Sequence, residues 1–489
     1  MLSPISEGPR EIRDFFNQAG FTQEHFRESA ALRDLQPASR LSKLPILIER
    51  TDKASALNVL LRWFFLGRPL ASESLAGLVP PRLISLMLDC GLLVREGERL
   101  APTVMLSPFE GYLFAADVPG RLESPEGSDL VLWPNLATRI LRMFTVRKPA
   151  GETLDLGSGC GVLAILAAGH SRRAAGTDLN PRAAEFGAFN AWLNQVENVE
   201  WLTGDTFDPA RGRQFDRILA NPPFFVTPSS GQLYCENSME LDGYCRRLVR
   251  EAPAYLNENG FLQMELEWVQ VRGQSWRDRL AEWMLGSGCD AWLLRNYSSD
   301  AAEYAAGRIG AMVPWSPETA GKRFEDWMGY YNARGVEQIH GGLLAMRKRS
   351  GNNWFSVEEA SELELREPFG ESILELFANR DRLEADRTSE HMLAWRPRLA
   401  PDARIEQKLR PDTGGWVITA MTLGRPGALP ASLAVEPRVA GFLAQCDGSR
   451  TLEQLAHELA GVVKADLAQV CEQCCTVIRT LAERRLVLL

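Results

Sequence analysis

The sequence predicts an α/β protein built around a largely parallel sheet, with a small module of helices and strands on either side of it. Short apolar strands alternate with helices from about residue 150, which is the pattern of parallel sheets. Before them, over residues 55–107, three helices precede two short strands. From residue 437 onwards, helices again precede a short terminal strand. These observations predict one central sheet and two flanking modules.

The central sheet is predicted from apolar runs, each followed by glycine, asparagine or acidic residues. The runs are ETLDLG, AAGTDLN, VEWLTGD, FDRILANPPF, FLQMELEW, CDAWLLRNY and VEQIHGGLLAMRKR. Helical segments separate them, and residues 298–335 read as a largely helical insertion between the last two strands. The sheet is expected to end near residue 350.

The flanking modules are predicted from helix-start and helix-stop signals. In the first, Pro81 suits the first turn of a helix and Gly91 its end, and a short hairpin follows. In the second, Thr451 and Gln454 form a capping-box pattern, and Asp466–Leu481 reads as a longer helix before the terminal strand. Both modules are winged-helix-like in this order of elements.

A length of 489 residues suggests about three domains. We predict an N-terminal winged-helix-like domain at 1–120, a sheet domain at 121–350 that carries the insertion, and a C-terminal α+β extension at 351–489 that ends in the second module. WVITAMTL is a predicted strand within this extension, much of which is rich in charged residues, proline and glycine.

Composition narrows the class of protein. With 45% hydrophobic and 24% charged residues the chain is expected to be globular rather than disordered. The N-terminal segment has early acids and no long apolar run, so neither secretion nor membrane spanning is expected. Nine cysteines at irregular spacing suggest reduced thiols and a cytoplasmic location. A structural zinc site needs four ligands, and no second cysteine pair accompanies Cys471, Cys474 and Cys475. No metal site is therefore predicted.

The segment LDLGSGCG places a glycine loop between a strand and a helix, where α/β folds bind ligands. Glycine at 157, 159 and 161 lets a ligand approach the backbone, and Asp155 can face a cationic or amine-bearing group. Val162 stands where a dinucleotide fingerprint needs glycine, and no G-K-[ST] follows. Nicotinamide and ATP are therefore poor candidates for the ligand.

The loop resembles the first motif of class I S-adenosylmethionine-dependent methyltransferases. Asp178 then stands where that family binds the two ribose hydroxyls, and Asp205 where it contacts the adenine edge. The resemblance implies a Rossmann-like sheet, S-adenosyl-L-methionine as cofactor, and a set of cofactor-binding residues. These are Asp155, Gly157, Gly159, Cys160, Gly161, Asp178, Leu179, Asp205, Thr206 and Asn221.

The tetrapeptide Asn221-Pro222-Pro223-Phe224 ends the fourth predicted strand, so it is expected at the same sheet edge as the glycine loop. The Asn221 side-chain oxygen and the Pro222 carbonyl can accept both hydrogens of a planar –NH₂, while Phe224 covers its face. Such a grip holds the nitrogen in line with a methyl donor and stabilises the positive charge that develops on it. Asn221, Pro222 and Phe224 are therefore the predicted catalytic residues.

In the methyltransferase family this pattern marks enzymes that modify amino groups. Over residues 150–265 the chain is most similar to release-factor glutamine methyltransferases, which more often have tyrosine where Phe224 stands. The resemblance implies N-methylation of a planar amide or amine, with a protein side chain such as glutamine as the first expectation. Uncharacterised bacterial methyltransferases with similar extensions resemble the whole chain more closely.

Two alternatives stay open at the level of sequence. The first is an RNA or DNA methyltransferase acting on an adenine or guanine exocyclic amine, with Phe224 stacking on a flipped base. The net charge of −9 argues against nucleic acid, and the acidic stretch 236–242 favours a protein or a small molecule as substrate. The second is a non-catalytic scaffold with the same fold, which the intact Asp155, Asp178 and Asn221 make less attractive.

Overall fold

The computed structural model describes residues 2–28, 37–118, 129–228, 237, 239–311, 317–360, 368–385, 388–425 and 431–489. The chain forms two compact units. Residues 1–142 and 148–359 make up the first unit, and residues 143–147 and 360–489 make up the second.

The first unit begins with helices and a small sheet. The helices are α1 (Pro9–Gln18), α2 (Gln23–Glu28), α3 (Pro37–Arg50), α4 (Ala56–Phe64) and α5 (Pro81–Asp89), and the strands are β1 (Leu70–Ala71), β2 (Leu93–Glu96) and β3 (Arg99–Pro102). Ser55 caps α4 by accepting a hydrogen bond from the Asn58 N–H at 3.1 Å. The strands pair in the order β1-β3-β2, and the Trp63 indole donates to the Leu100 carbonyl at 3.0 Å, which ties α4 to this sheet.

An eight-stranded sheet forms the centre of the first unit, in the order β13-β11-β12-β10-β9-β6-β7-β8. Before it stands a hairpin of β4 (Met105–Phe109) and β5 (Tyr112–Ala116). The sheet strands are β6 (Ala150–Leu156), β7 (Ser171–Asp178), β8 (Val199–Thr203), β9 (Phe215–Ala220), β10 (Leu256–Val271), β11 (Cys289–Asp300), β12 (Val336–Lys348) and β13 (Phe355–Glu359). The helices are α6 (Leu136–Phe144), α7 (Val162–Ala168), α8 (Pro181–Leu193), α9 (Gly243–Glu251), α10 (Trp276–Met284), α11 (Ala301–Ala311) and α12 (Pro317–Arg334).

The five strands from β10 to β8 are parallel, which confirms the prediction of a largely parallel α/β sheet. β12 lies antiparallel between β10 and β11. Its direction follows from the connection, because the α11–α12 pair occupies the predicted insertion and returns the chain to the end where β11 finished. The carboxyl ends of β6, β7, β8 and β9 therefore share one edge of the sheet.

Two asparagines of α8 join the β4–β5 hairpin to the sheet. Asn190 accepts from the Ala115 N–H at 2.7 Å and donates to the Ala115 carbonyl at 2.9 Å. Asn194 makes the same pair of bonds with Leu113, at 2.9 and 2.7 Å. Since both side chains are buried, their polar groups are satisfied only in this arrangement.

The second unit combines helices with two small sheets. Its helices are α13 (Gly370–Ala385), α14 (Ser389–Leu393), α15 (Pro437–Leu443), α16 (Leu452–Val463) and α17 (Leu467–Glu483). Its strands are β14 (Arg398–Leu399), β15 (Arg404–Asp412), β16 (Gly415–Arg425), β17 (Ala431–Ala434) and β18 (Val487–Leu488). The capping box of Thr451 and Gln454 is present at the start of α16, as predicted. The helix α13 and the strand β15 were not predicted.

Candidate functional site

The glycine loop follows β6 and leads into α7. Gly157, Gly159 and Gly161 have φ values of +71°, +51° and +86°, which other residues adopt only under strain. The N–H groups of Gly157 and Ser158 both donate to the Thr177 carbonyl, at 2.8 and 2.9 Å. A Cβ on Gly161 would lie 2.3 Å from the Trp201 ring, so this position requires glycine for packing as well.

Asp155 lies behind the loop rather than on its open side. One carboxylate oxygen accepts from the Ala164 N–H of α7 at 3.0 Å, and the other has no hydrogen-bond partner among the described residues. Burial, with a smaller contribution from the negative charge of Asp178, raises the Asp155 pKa to about 7. Asp155 was expected to face a ligand, but neither it nor Gly161 lines the cavity described below. The reason is strand alternation: Leu154 and Leu156 pack on one face of the sheet, so Asp155 points to the other, towards α7.

Asp178 ends β7 and holds the glycine loop from the side. Its two oxygens accept from the N–H groups of Gly159 and Asn180, each at 2.9 Å. Burial raises the pKa of this carboxyl from its ordinary value. A carboxylate offers about four acceptor positions, so two are left for a ligand. The neighbouring Leu179 is 57% exposed and lines the cavity that is described below.

Asp205 and Thr206 follow β8 and are held by Arg247 of α9. The Arg247 guanidinium donates to the Asp205 carboxylate and to the Thr206 hydroxyl, both at 2.9 Å. The guanidinium also donates a hydrogen bond to Glu251, one turn further along α9. This hydrogen bond is the main reason that the Arg247 pKa is raised. Sequence reasoning did not identify Arg247 as a site residue.

Asn221, Pro222, Pro223 and Phe224 follow β9, and they meet the glycine loop. A Cβ on Gly157 would lie 3.8 Å from the Asn221 carbonyl oxygen, so the two loops are in close approach. The Pro223 carbonyl accepts from the Asn237 side chain at 2.8 Å. The side-chain amide of Asn221 and the carbonyl of Pro222 form no hydrogen bond with any residue that the structure describes. Within this part of the chain, both oxygens can therefore accept hydrogen bonds from a ligand.

One cavity of about 730 Å³ connects these elements. This volume lies within the range of about 300–1,000 Å³ that is typical of ligand pockets. The predicted site residues that line it are Gly157, Gly159, Cys160, Asp178, Leu179, Asp205, Thr206, Asn221, Pro222 and Phe224. Lining residues that were not predicted include Leu130–Trp133, Thr138, Asn180, Tyr244 and Arg247. They come from other helices and loops, whose position no local motif reveals.

The chain just after Phe224 is fixed by a buried polar cluster that surrounds Val226. The Glu267 carboxylate, on β10, accepts from the Val226 N–H at 3.3 Å and also from the hydroxyls of Tyr297 and Tyr304 and the guanidinium of Arg308. The Tyr331 hydroxyl donates to the Val226 carbonyl at 2.6 Å. Residues of β10, β11, α11 and α12 therefore hold both backbone polar groups of this residue and position the loop that carries Asn221.

Replacing Tyr331 with phenylalanine should lower the free energy of unfolding by about 1–2 kcal/mol, because the buried Val226 carbonyl loses its partner. Denaturant titration of both proteins measures the difference. Tyr255→Phe is the control, since the Tyr255 hydroxyl bonds to no described residue. Equal effects of the two substitutions would contradict the positioning role.

The acidic stretch near this loop is largely neutralised. Glu240 pairs with Arg334 at 2.5 Å, and the fully buried Asp242 carboxylate accepts two bonds from Arg279 and one from the Val269 N–H. Glu236 lies outside the described residues. Asp242 therefore stabilises the fold and does not present a charge to a substrate. The negative charge of this stretch therefore disfavours nucleic acid less than the sequence suggested.

The buried Asp155 makes a pH-dependent contribution to stability that can be measured. Because its folded pKa of about 7 lies above the value of about 3.9 expected in the unfolded chain, wild-type stability is lost as pH rises from about 4 to 7. Asp155→Asn removes this titration, so its melting temperature should rise relative to wild type between pH 5 and pH 8. Asp326→Asn, at an exposed carboxylate, is the control. A constant difference between Asp155→Asn and wild type would show that Asp155 is ionised throughout.

The described part of the chain contains no group of three or more histidine, cysteine or acidic side chains that could hold a metal ion. Cys471, Cys474 and Cys475 are free thiols on α17, and the last two are buried. Over the described residues, no helix combines the length and the apolar character needed to cross a membrane.

Comparisons with known proteins find similarity to methyltransferases. Residues 134–281 match the family model described as methyltransferase small domain. The release factor glutamine methyltransferase of Thermodesulfovibrio yellowstonii is 31% identical over 162 residues, which are 29% of this chain and 58% of the relative. The ribosomal RNA small subunit methyltransferase C of Alcanivorax borkumensis is 30% identical over 155 residues, which are 31% of this chain and 41% of the relative.

This chain thus spans 58% and 41% of the length of these two curated relatives. Among solved structures, M. jannaschii TYW2 in complex with AdoMet aligns with 52% of this chain and 90% of its own, at 16% identity and a TM-score of 0.30. The family match and the sequence relatives confirm the predicted resemblance to class I methyltransferases, and to release factor glutamine methyltransferases among them.

Proposed function

We propose that this protein is an S-adenosylmethionine-dependent N-methyltransferase that acts on a planar amide nitrogen, that of a protein glutamine. The observation that carries the proposal is a cavity that joins the glycine loop, Asp178 and Asp205 to the acceptor oxygens of Asn221 and Pro222, which bond to no other residue that the structure describes. A donor site and an acceptor site in one cavity are what a direct methyl transfer requires.

The residues of the cavity fit a nucleoside that carries a positive charge and no phosphate. Its ionisable lining residues in the described part of the chain are Cys160, Asp178, Asp205, Tyr244 and Arg247, and Arg247 is already paired with Asp205. No lysine and no unpaired arginine lines it there to meet a phosphate. Asp178 would bind the ribose hydroxyls with its two remaining acceptor positions, Asp205 would meet the adenine edge, and Leu179 would cover the base.

The acceptor nitrogen would be held by two oxygens. Asn221 and Pro222 each accept one N–H of a planar –NH₂, which turns the nitrogen lone pair towards the donor. When bound, S-adenosylmethionine supplies an electrophilic methyl group on a sulfur that leaves with the bonding electron pair. As the new N–C bond forms, the two oxygens stabilise the positive charge on nitrogen, and its proton then passes to water. No strong base is needed before transfer.

A glutamine side chain and an exocyclic base amine both present such an –NH₂, so relatives inform the choice. The two relatives described above are named for a release factor glutamine and for ribosomal RNA. The match to the first relative extends over 58% of that protein, against 41% for the second, which supports a protein glutamine as substrate. The second candidate, a guanine or adenine amine in RNA or DNA, is supported by the match to the ribosomal RNA enzyme and by Phe224, which can stack on a base.

Label transfer separates the two candidates. The protein is incubated with S-adenosylmethionine labelled on its methyl group and with bacterial extract, and the products are digested with nuclease or protease. We expect protease to release the label and acid hydrolysis to yield labelled methylamine, as an N-methyl amide does. Label released by nuclease would establish the nucleic-acid candidate. No label above an Asn221→Ala control would contradict both candidates.

We also propose that the regions on either side of the sheet are winged-helix-like modules, with domains at 1–120, 121–350 and 351–489, and that the protein acts in the cytoplasm. The order helix, strand, helix, hairpin around α4, α5 and the β1-β3-β2 sheet supports the first module. The free cysteines support a reducing compartment. On this proposal the first module, which belongs to the same compact unit as the cavity, orients a macromolecular substrate there.

A further inference from the structure

The strand β15 of the second unit lies at the edge of the β15-β16-β17 sheet, and all nine of its residues are exposed. Within the described part of the chain, no strand pairs with its outer side. An open edge presents unpaired N–H and C=O groups, and it can pair with another strand. On β15 only Pro411 lacks an N–H.

Apolar side chains collect on one face of this hairpin. The register with β16 places Leu409 opposite Ile418 and Pro411 opposite Trp416. The register shifts between Lys408 and Leu409 by one extra residue on β16, so alternation along β15 itself still puts Leu409 and Pro411 on one face with Ile405. Leu409 is 48% exposed, Ile418 41% and Trp416 71%. Near the base of the hairpin, Leu423 on the same face is fully buried. The apolar face therefore continues from the core of the second unit to the exposed tip.

Charged side chains alternate on the opposite face of β15. They are Arg404, Glu406, Lys408, Arg410 and Asp412. The first four make no side-chain hydrogen bond or ion pair with any described residue. Their order has a symmetry of its own. Residues at equal distances before and after Lys408 have opposite charges. Two residues away these are Glu406 and Arg410, and four residues away they are Arg404 and Asp412.

We propose that β15 pairs antiparallel with β15 of a second copy of this chain, on a two-fold axis at Lys408. In this register Glu406 faces Arg410 of the partner subunit, Arg404 faces Asp412 of the partner subunit, and symmetry repeats both contacts. Opposite charges directly across an antiparallel pair stabilise it. The two three-stranded sheets then join into one.

The charges select this register among its neighbours. In a symmetric antiparallel pair, residues opposite each other must point to the same face of the sheet. The two-fold axis can therefore move along β15 only from one residue to the next, and each such move shifts the pairing by two residues. Centring the axis on Gln407 places Arg404 against Arg410, and centring it on Leu409 places Glu406 against Asp412. Both alternatives set like charges across the strands. With the axis at Lys408, the two Lys408 side chains are the only like charges that face each other.

The apolar face also gains from this register. Leu409 comes opposite Gln407 of the partner subunit, beside the base of that hairpin, and Pro411 comes opposite Ile405 of the partner subunit. The tip of each hairpin thus lies against the base of the other. Because the contact is the same on both chains, it closes at two copies and does not extend into a fibre.

Sedimentation velocity of the full chain over a range of concentrations tests the pairing. Wild type should dimerise, and Arg410→Glu should raise the dissociation constant at least about tenfold, since two glutamates then face each other on both sides of the axis. The double variant Glu406→Arg with Arg410→Glu should restore the dimer. Lys408→Gln should lower the dissociation constant, because the two Lys408 side chains face each other on the axis and their like charges repel.

Arg438→Glu, an equal charge change at an exposed position of α15, is the control and should leave the dimer intact. Circular dichroism and thermal melting establish that each variant is folded. A wild-type protein that is monomeric at every concentration overturns the proposal. So does a dimer that Arg410→Glu leaves unchanged, or a folded double variant that stays monomeric.

Discussion

Replacing Asn221 with alanine is expected to lower the turnover of methyl transfer about a hundredfold while the affinity for S-adenosylmethionine stays unchanged. The side-chain oxygen of Asn221 is one of two acceptors that hold the reacting nitrogen, and its loss removes a preorganised contact that strengthens as charge develops. Asn221 does not hold the loops in shape through its side chain, which bonds to no other described residue. Steady-state kinetics and calorimetry measure the two quantities.

Asn221→Asp provides the matched comparison. Its carboxylate keeps an acceptor oxygen at the same place, so it should retain more turnover than the alanine variant. Equal turnover in the two variants would point to a packing effect. Turnover of Asn221→Ala within a few fold of wild type would refute the catalytic assignment.

Replacing Asp178 with alanine should weaken the binding of S-adenosylmethionine about a hundredfold. The substitution removes the acceptors for the two ribose hydroxyls, and hydrogen bonds to a charged group are worth about 1.5–3 kcal/mol. It also releases the N–H groups of Gly159 and Asn180, which this carboxylate holds at 2.9 Å. Isothermal titration calorimetry with S-adenosylhomocysteine measures the loss without turnover.

Asp178→Asn separates the two contributions. The amide keeps one acceptor oxygen, so its affinity should fall between wild type and the alanine variant. Unchanged affinity in Asp178→Ala would remove Asp178 from the cofactor site. A large loss of thermal stability in that variant alone would instead show that loop support dominates.

Much of the site could be predicted from sequence, because parallel strands bring their carboxyl ends to one edge. The glycine loop, Asp178, Asp205 and Asn221 each follow a strand, so their order along the chain was enough to place them near one cavity. Asp155 precedes the strand end by one residue, and alternation turns it away. This orientation was available from the pattern Leu154-Asp155-Leu156.

Other features depend on contacts that no local pattern encodes. Arg247 reaches Asp205 only because α9 packs beside the end of β8, and an arginine on a helix carries no sign of its partner. The cluster around Glu267 combines residues from two strands and two helices. The antiparallel direction of β12 follows from the length of the inserted helical pair. In the second unit, the charged stretch before WVITAMTL hid β15, since alternating charge on an exposed edge resembles a loop.

The most direct test of the central claim is a crystal structure of the full chain with S-adenosylhomocysteine. We expect the nucleoside in the cavity against the Gly157–Gly161 turn, its ribose on Asp178 and its sulfur facing Asn221. A crystal that leaves this cavity empty at saturating ligand, or places the sulfur away from Asn221, would contradict the account.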